Sequence, residues 1–178
     1  MPYSYHYGKT EAIEFIIKNI TSDSTILDVG PGVGTYADLF KEHKINNSVD
    51  AVEIYDRYVE AYGLKDKYRN VFVDDIVDFD CSNYDFVILG DVLEHLTIEN
   101  ANKVLNKCKN VLVAVPYICP QGGVDFETNG YHLINPYEEH KQSDLTPLVM
   151  LTRYPDLGLV WSNHLYGYYS NIKWNGYY

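Results

Sequence analysis

The sequence predicts an α/β fold, a three-layer αβα sandwich around a mostly parallel seven-stranded sheet that ends in an antiparallel strand pair. Three observations predict it. Along residues 9–117, short apolar runs alternate with amphipathic segments. This is the pattern of βαβ units, whose right-handed crossovers give a doubly wound parallel sheet. The first apolar run opens directly into a glycine-rich turn, DVGPGVG, from Asp28 to Gly34. The last two runs, LGLVWS (157–162) and LYGYYS (165–170), lie close enough to pair antiparallel.

Each element has its own signal. In KTEAIEFIIKNI, residues 9–20, Ile13, Ile16, Ile17 and Ile20 recur at i, i+3, i+4 and i+7, which predicts a helix with one buried face. TILDVG is a short apolar run ending at glycine and predicts a buried strand. Tyr36, Leu39 and Phe40 begin a second helix, and SVDAVEI (48–54) is the next strand. Tyr55, Tyr58, Val59 and Tyr62 again have helical spacing, with Gly63 as the stop. NVFV (70–73) and YDFVILG (84–90) are the third and fourth strands, joined by a polar connection. Ala101, Val104, Leu105 and Cys108 mark a helix before the fifth strand, NVLVAVPY (110–117). Residues 118–143 then break the rhythm as a long polar loop, expected to lie over the ligand cleft. DLTPLVMLTRYP predicts a helix with Asp144 as its N-cap and Pro147 in its first turn.

The bulk numbers bound the function classes. The 178 residues suit a single domain, with residues 1–9 as an N-terminal lid or tail. A formal net charge of -11 argues against a broad nucleic-acid-binding face, which needs clustered Lys and Arg. Cys81, Cys108 and Cys119 have no CxxC spacing and fit neither a disulfide framework nor a zinc knuckle. No apolar run reaches the roughly 18–20 residues of a membrane span, and the N-terminus lacks the order of a signal peptide. These features are read together as a cytoplasmic protein without a membrane partner. The 18 tyrosines are expected at surfaces or in a cleft, where a polar tip stays wet.

In open α/β sheets ligands bind beyond the carboxyl ends of the strands, so the residues there carry the functional signal. After the first strand, Gly30, Gly32 and Gly34 follow Asp28. The spacing is G-x-G-x-G, where a dinucleotide fingerprint wants G-x-G-x-x-G, and no lysine follows Gly34 as a Walker loop requires. After the second strand, Glu53 can accept hydrogen bonds from a ribose diol and Ile54 can press on a base. After the third, Asp75 can accept from an exocyclic amine and the Ile76 N–H can serve a ring nitrogen. After the fourth, GDVLEHL (90–96) offers Gly90 for close approach, Asp91 and Val92 beside it, and Asp91 as partner for an ammonium group. Taken singly, each of these is also compatible with a plain turn or a surface carboxylate.

Together and in this order, they resemble the class I S-adenosylmethionine-dependent methyltransferases. The resemblance covers residues 10–117 well and the remainder in strand order. It implies S-adenosylmethionine as cofactor and S-adenosylhomocysteine as product. DVGPGVG would serve the methionine end, Glu53 the ribose, and Asp75 with Ile76 the adenine. Asp74 is a weaker match than Asp75. GDVLEHL is similar to the DVLEH stretch of the ubiquinone-biosynthesis and small-molecule members. The chemistry implied is in-line transfer of a methyl group, in which aligning the reactants supplies much of the acceleration.

On the acceptor side the candidates are Asp91, His95 and His140. His132, Glu138, Glu139 and Asp144 lie close to His140 in sequence. A base over the acceptor and an oxygen-rich metal site are both open readings. No fixed ligand spacing is met, so no metal is assigned. Tyr3, Tyr5, His6, Tyr7 and Lys9 are read as a lid, with Tyr or Lys9 meeting the cofactor carboxylate, or as a frayed terminus. The motifs of amino-methylating and cytosine-C5 DNA enzymes are missing after the fourth strand. The expected acceptor is therefore a small molecule or a glycan, methylated at O or N. A non-catalytic module that binds the same cofactor or a protein partner is the alternative, and aminopropyl transfer a third. Tyr166, Tyr168, Tyr169, Tyr177 and Tyr178 are read as a dimer patch or as the end of the last strand, which leaves monomer or homodimer open.

Overall fold

The computed structural model describes residues 6–173. Tyr3, Tyr5, Tyr177 and Tyr178 lie outside these described residues. The helices are α1 (Lys9–Asn19), α2 (Thr35–Glu42), α3 (Asp56–Ala61), α4 (Ile98–Leu105) and α5 (Pro147–Arg153). The strands are β1 (Ile26–Val29), β2 (Val49–Glu53), β3 (Val71–Val73), β4 (Phe86–Gly90), β5 (Val111–Pro116), β6 (Val124–Thr128), β7 (Tyr131–Asn135), β8 (Gly158–Ser162) and β9 (Tyr166–Ser170). Seven of them form one sheet in the order β3-β2-β1-β4-β5-β9-β8. β1 to β5 are parallel to one another, and β9 is antiparallel to both β5 and β8.

The two-residue period of the strands sorts the core into two layers. Ile26, Phe86, Ile88 and Leu112 pack with Ile13 and Ile16 of α1 and Tyr36 and Phe40 of α2. Leu27, Val29, Val87, Leu89, Val111 and Val113 pack on the other face with Ala101 and Val104 of α4 and Met150 of α5. β1, β4 and β5 are buried along their whole length, which is why they read as continuous apolar runs. Reversal of the strand order between β1 and β4 creates the crevice where such sheets bind ligands.

Three details differ from the sequence expectation. Ile17 is exposed, and Ala12 and Phe15 complete the buried face of α1 instead. Thr146, whose hydroxyl accepts from the Val149 N–H at 3.1 Å, is the N-cap of α5; Asp144 is drawn away by Arg153 at 2.7 Å. The 118–143 stretch holds a hairpin, β6–β7, in which Phe126 pairs with Leu133. Its alternate positions bury: Leu133 packs on Tyr55 and Tyr58 of the α3 region, with Phe126 against the same cluster.

The tyrosines depart most from expectation. Tyr166, Tyr168 and Tyr169 are fully buried in β9, so they form core, and no surface patch. Their hydroxyls are tolerated inside because each of these polar tips finds a partner. Tyr169 meets Tyr117 at 2.5 Å, Tyr166 donates to Asp91 at 2.5 Å, and Tyr168 donates to the Tyr7 carbonyl at 3.0 Å. Cys81 and Cys108 are buried as free thiols with sulfurs 3.9 Å apart. Among the described residues no helix is long and apolar enough to cross a membrane.

Candidate active site

A cavity of about 470 Å³ opens at the carboxyl ends of β1 to β4. That is the volume range of small-molecule and cofactor sites. One wall is built from the residues at the strand ends: Gly30 and Gly32 after β1, Glu53 and Ile54 at and after β2, Asp74 to Val77 after β3, Gly90 to Val92 at and after β4. The facing wall is Asn135 to Glu139 and Lys141, the segment that leaves the β6–β7 hairpin.

The turn after β1 is held open by backbone geometry. Gly30 has φ of 58°, and a Cβ there would stand 2.9 Å from Val92 Cγ2, so a side chain would both strain the turn and strike the cavity wall. Gly34 caps α2 with φ of 84°. Lys67 closes the turn from below, its Nζ donating to the Val33 carbonyl at 2.9 Å and to Asp38 at 2.6 Å. Asp28 sits beneath the turn on the α2 face of the sheet. Its carboxylate accepts from Tyr68 at 2.6 Å, and burial raises its pKa to about 7.

Glu53 is buried at the end of β2, with one oxygen accepting the Tyr55 N–H at 2.9 Å. Burial raises its pKa to about 7 against that hydrogen bond, and the charges of Glu138 and Asp28 push in the same direction as burial. A ligand hydroxyl donating to this carboxylate would stabilise its charged form. Asp75 is half-buried, and its Oδ1 accepts from the Val77 N–H at 2.9 Å. Asp91 adopts φ of 57°, uncommon outside glycine, which turns the chain sharply at the cavity floor.

A second cluster lies at the junction of the two walls. Glu94 and His95 share a short 3-10 turn, Leu93–His95, after β4. The Glu94 carbonyl accepts from the backbone N–H groups of Lys141 and Gln142 at 2.8 and 3.0 Å, which brings His140 alongside. The His95 and His140 rings meet edge to face, with centroids 4.7 Å apart. His95 Nδ1 donates to the Glu139 carbonyl at 3.2 Å, and His140 Nδ1 donates to the Cys119 carbonyl. Burial lowers the His95 pKa to about 4, so its ring is neutral near pH 7. Burial first, and then the charge of Asp91, holds the Glu94 pKa well above the usual carboxylate range.

Of the residues expected from the sequence, Gly30, Gly32, Glu53, Ile54, Asp75, Ile76, Gly90, Asp91, Val92 and His95 all line the cavity. Asp28, Gly34 and His140 stand behind its walls. His132 lies on the outer hairpin, 3.0 Å from Asp125, and Asp144 is paired with Arg153, so neither joins the His95 cluster. The Lys9 ammonium is buried 4.5 Å above the Tyr36 ring and does not reach the cavity; burial lowers its pKa, and Asp91 and Asp28 oppose the shift.

Sequence reasoning gives no site role to Tyr58, Lys67 or Tyr166, and places Glu138 near His140 without its partner Tyr58. Tyr58 donates to Glu138 at 2.8 Å across the cavity and Tyr166 fixes Asp91. Helical spacing signals burial at Tyr58, the β9 tyrosines read as a patch or a strand end, and neither signal carries a polar partner far along the chain.

The chain matches the family described as a methyltransferase domain over residues 4–131. Among solved structures it is similar to a glycopeptide N-methyltransferase, MtfA, complexed with S-adenosylhomocysteine, at 12% identity and a TM-score of 0.60, covering 96% of this chain and 92% of that one. It is also similar to the 1,6-didemethyltoxoflavin-N1-methyltransferase of Burkholderia thailandensis, at 14% identity and a TM-score of 0.56, covering 90% and 74%. A SAM dependent methyltransferase from Archaeoglobus fulgidus shares 22% identity at a TM-score of 0.48 over 61% of this chain; the match spans about half of that protein, 52%. At these identities the first two structures, with TM-scores of 0.60 and 0.56, establish the fold alone. No protein of curated function matches the sequence.

Proposed function

Because the chain belongs to the methyltransferase-domain family, as a class I S-adenosylmethionine-dependent enzyme, we propose that it methylates an oxygen or nitrogen of a small molecule or glycan within this cavity. The observation that carries this reading is the run of strand ends along one wall, where buried Glu53 and the Asp75–Ile76 pair come after a glycine turn that a side chain would block. The donor set fits the cofactor: a buried carboxylate for a vicinal diol, a carboxylate and N–H for a purine edge, and apolar Ile54, Ile76 and Val77 for its faces. Bound S-adenosylmethionine supplies an electrophilic methyl group on a sulfonium.

This chain's own residues bind, orient and exclude water. Glu53 fixes the ribose, Asp75 and Ile76 fix the base, and Asp91 faces the amino-acid end together with the β1 turn. Asp28 acts from below, holding that turn through Tyr68. The acceptor enters between Asp91, His95 and the segment after the hairpin, with His140 behind His95. A cavity of about 470 Å³ shared with a nucleoside cofactor favours a small acceptor or the end of a larger one. The net charge of -11 disfavours a nucleic acid there. The two neighbours that act on a toxoflavin precursor and on a glycopeptide support the same acceptor class. Residues 1–178 are proposed to act as a single domain.

Calorimetry with S-adenosylhomocysteine tests the donor site, and a donor-labelled transfer screen over small metabolites and glycans tests the acceptor class. One molecule bound per chain and label in a small product are expected. Absence of S-adenosylhomocysteine binding would remove the reading, and label appearing only in nucleic acid would replace its acceptor.

A further inference from the structure

We infer that Glu94, His95 and His140 form a binding site for a divalent first-row transition-metal ion, set at the junction of the two cavity walls. Their candidate ligand atoms all lie within 4.8 Å of one another. Two donors each about 2.1 Å from one ion stand no more than about 4 Å apart, so a bound ion would draw the three groups slightly closer.

The hydrogen-bond inventory of the cluster lacks a donor. Glu94 is 1% exposed, and neither carboxylate oxygen has a hydrogen-bond partner among the described residues. Buried polar groups are almost always paired, so an orphaned carboxylate in a cluster of ligating side chains asks for a cation. Both imidazoles spend Nδ1 on a backbone carbonyl, His95 on Glu139 and His140 on Cys119. A carbonyl only accepts, so each Nδ1 carries the hydrogen and each Nε2 presents a lone pair. Each of the three residues therefore brings an acceptor, and none brings a free donor, to the cluster. A single proton on Glu94 would serve one imidazole and leave the other facing lone pairs; a metal ion serves all three. Pinning one ring nitrogen on a carbonyl while the other ligates is also how metal-binding histidines are oriented.

Donor chemistry selects the ion. Two imidazole nitrogens and one carboxylate oxygen suit manganese, iron, cobalt or zinc, whereas magnesium and calcium prefer sites made of oxygen. Three protein ligands leave coordination positions open, the arrangement of a site that takes up an exogenous ligand. His95 lines the cavity, so those positions face the place assigned to the methyl acceptor, whose oxygen or nitrogen would fill one of them. That last role rests on the methyltransferase reading; the metal site does not.

The test uses the untagged full chain, stripped by a chelator, reloaded with Co²⁺ or Zn²⁺ and counted by elemental analysis. One ion per chain is expected, with visible Co²⁺ absorption of a site containing nitrogen ligands and no displacement by excess Mg²⁺. Glu94→Gln and His140→Ala should each weaken binding at least tenfold, roughly the loss seen on disturbing metal-site residues. Both substitutions remove volume or charge without adding bulk, and thermal unfolding of the metal-free variants identifies any that fail to fold. Should a variant misfold, the wild-type stoichiometry and the Co²⁺ spectrum still decide. Far less than one ion per chain, displacement by Mg²⁺, or binding unchanged in the Glu94→Gln/His140→Ala chain overturns the proposal. S-adenosylhomocysteine binding measured on the stripped wild-type chain reports separately on the donor site.

Discussion

One wall of the cleft is made of residues that end or come just after sheet strands, and the facing wall is made of a segment that belongs to no strand of the main sheet. Glu53 ends β2 and Asp91 follows β4, strands bonded on both sides, while Asp75 follows β3, the edge strand held by its ladder to β2. Asn135 to Lys141 instead depend on a few local ties: the Tyr58 side chain to Glu138, the Gln121 amide to the Glu138 carbonyl at 2.8 Å, and the backbone N–H groups of Lys141 and Gln142 to the Glu94 carbonyl. A wall fixed by the sheet keeps ligand groups in register with little freedom, which suits one invariant cofactor. A wall fixed by a few hydrogen bonds can change its residues without disturbing the sheet, which suits the variable partner in the reaction.

The sharpest way to break this comparison is to truncate the sheet-borne wall. Glu53→Ala should weaken S-adenosylhomocysteine binding by about 1–3 kcal/mol, the scale of hydrogen bonds to a charged group. A substitution on the facing wall, Tyr137→Ala, should change it by less than about 0.5 kcal/mol. Calorimetry on both variants decides; equal losses would mean that the cofactor spans both walls and that they do not divide the work between cofactor and acceptor.

The same comparison explains which parts of the site were legible in the sequence. Strand ends sit at fixed offsets from apolar runs, so Gly30, Glu53, Asp75 and Asp91 could be picked out one run at a time. Asp28 was legible as a motif residue and misleading as a lining residue, because the pleat at β1 turns it toward α2 and Tyr68. The facing wall is assembled from positions 80 residues apart, as in the Tyr58–Glu138 pair, and local periodicity carries no record of such a pairing. The hairpin hid for a related reason. Its apolar inward positions, partly buried Phe126 and buried Leu133, are few, and they cover α3 without filling the main core.

A second prediction uses pH. Burial raises Glu53 to about 7, with Glu138 and Asp28 adding like charge. A ribose diol donating to Glu53 requires the carboxylate, so affinity for S-adenosylhomocysteine should fall as pH drops through 7. Between pH 8 and pH 6 one such group gives a loss of about tenfold, or about 1.4 kcal/mol. Glu53→Gln should flatten the profile. A dependence that survives in Glu53→Gln would point to Asp28, also raised to about 7 and beneath the β1 turn. The cofactor-free fold has the opposite trend. A carboxyl whose folded pKa exceeds its unfolded value contributes stability that is complete below the ordinary carboxylate range and lost as pH rises through 7. The unliganded chain should therefore melt lower at pH 8 than at pH 6, and cofactor should narrow that difference.

The smallest expected effect tests how the facing wall is held. Tyr58→Phe removes the hydroxyl that donates to Glu138 at 2.8 Å and leaves the ring, which packs edge-on against Tyr55 at 4.9 Å and against Tyr62 at 5.2 Å. The ring keeps α3 and the hairpin together through apolar contact with Leu133, so the fold should lose about 0.5–1.5 kcal/mol, the net worth of one buried hydrogen bond. Glu138 is itself buried and keeps the Gln121 amide as a partner at 3.4 Å, which limits the penalty. If the facing wall is positioned by such ties, amide exchange should quicken through residues 135–141 in Tyr58→Phe and stay unchanged in β1, β2 and β4. Protection unchanged in 135–141 would place the anchoring in the hairpin's apolar contacts instead, and would make the two walls more alike in construction than their hydrogen bonds suggest.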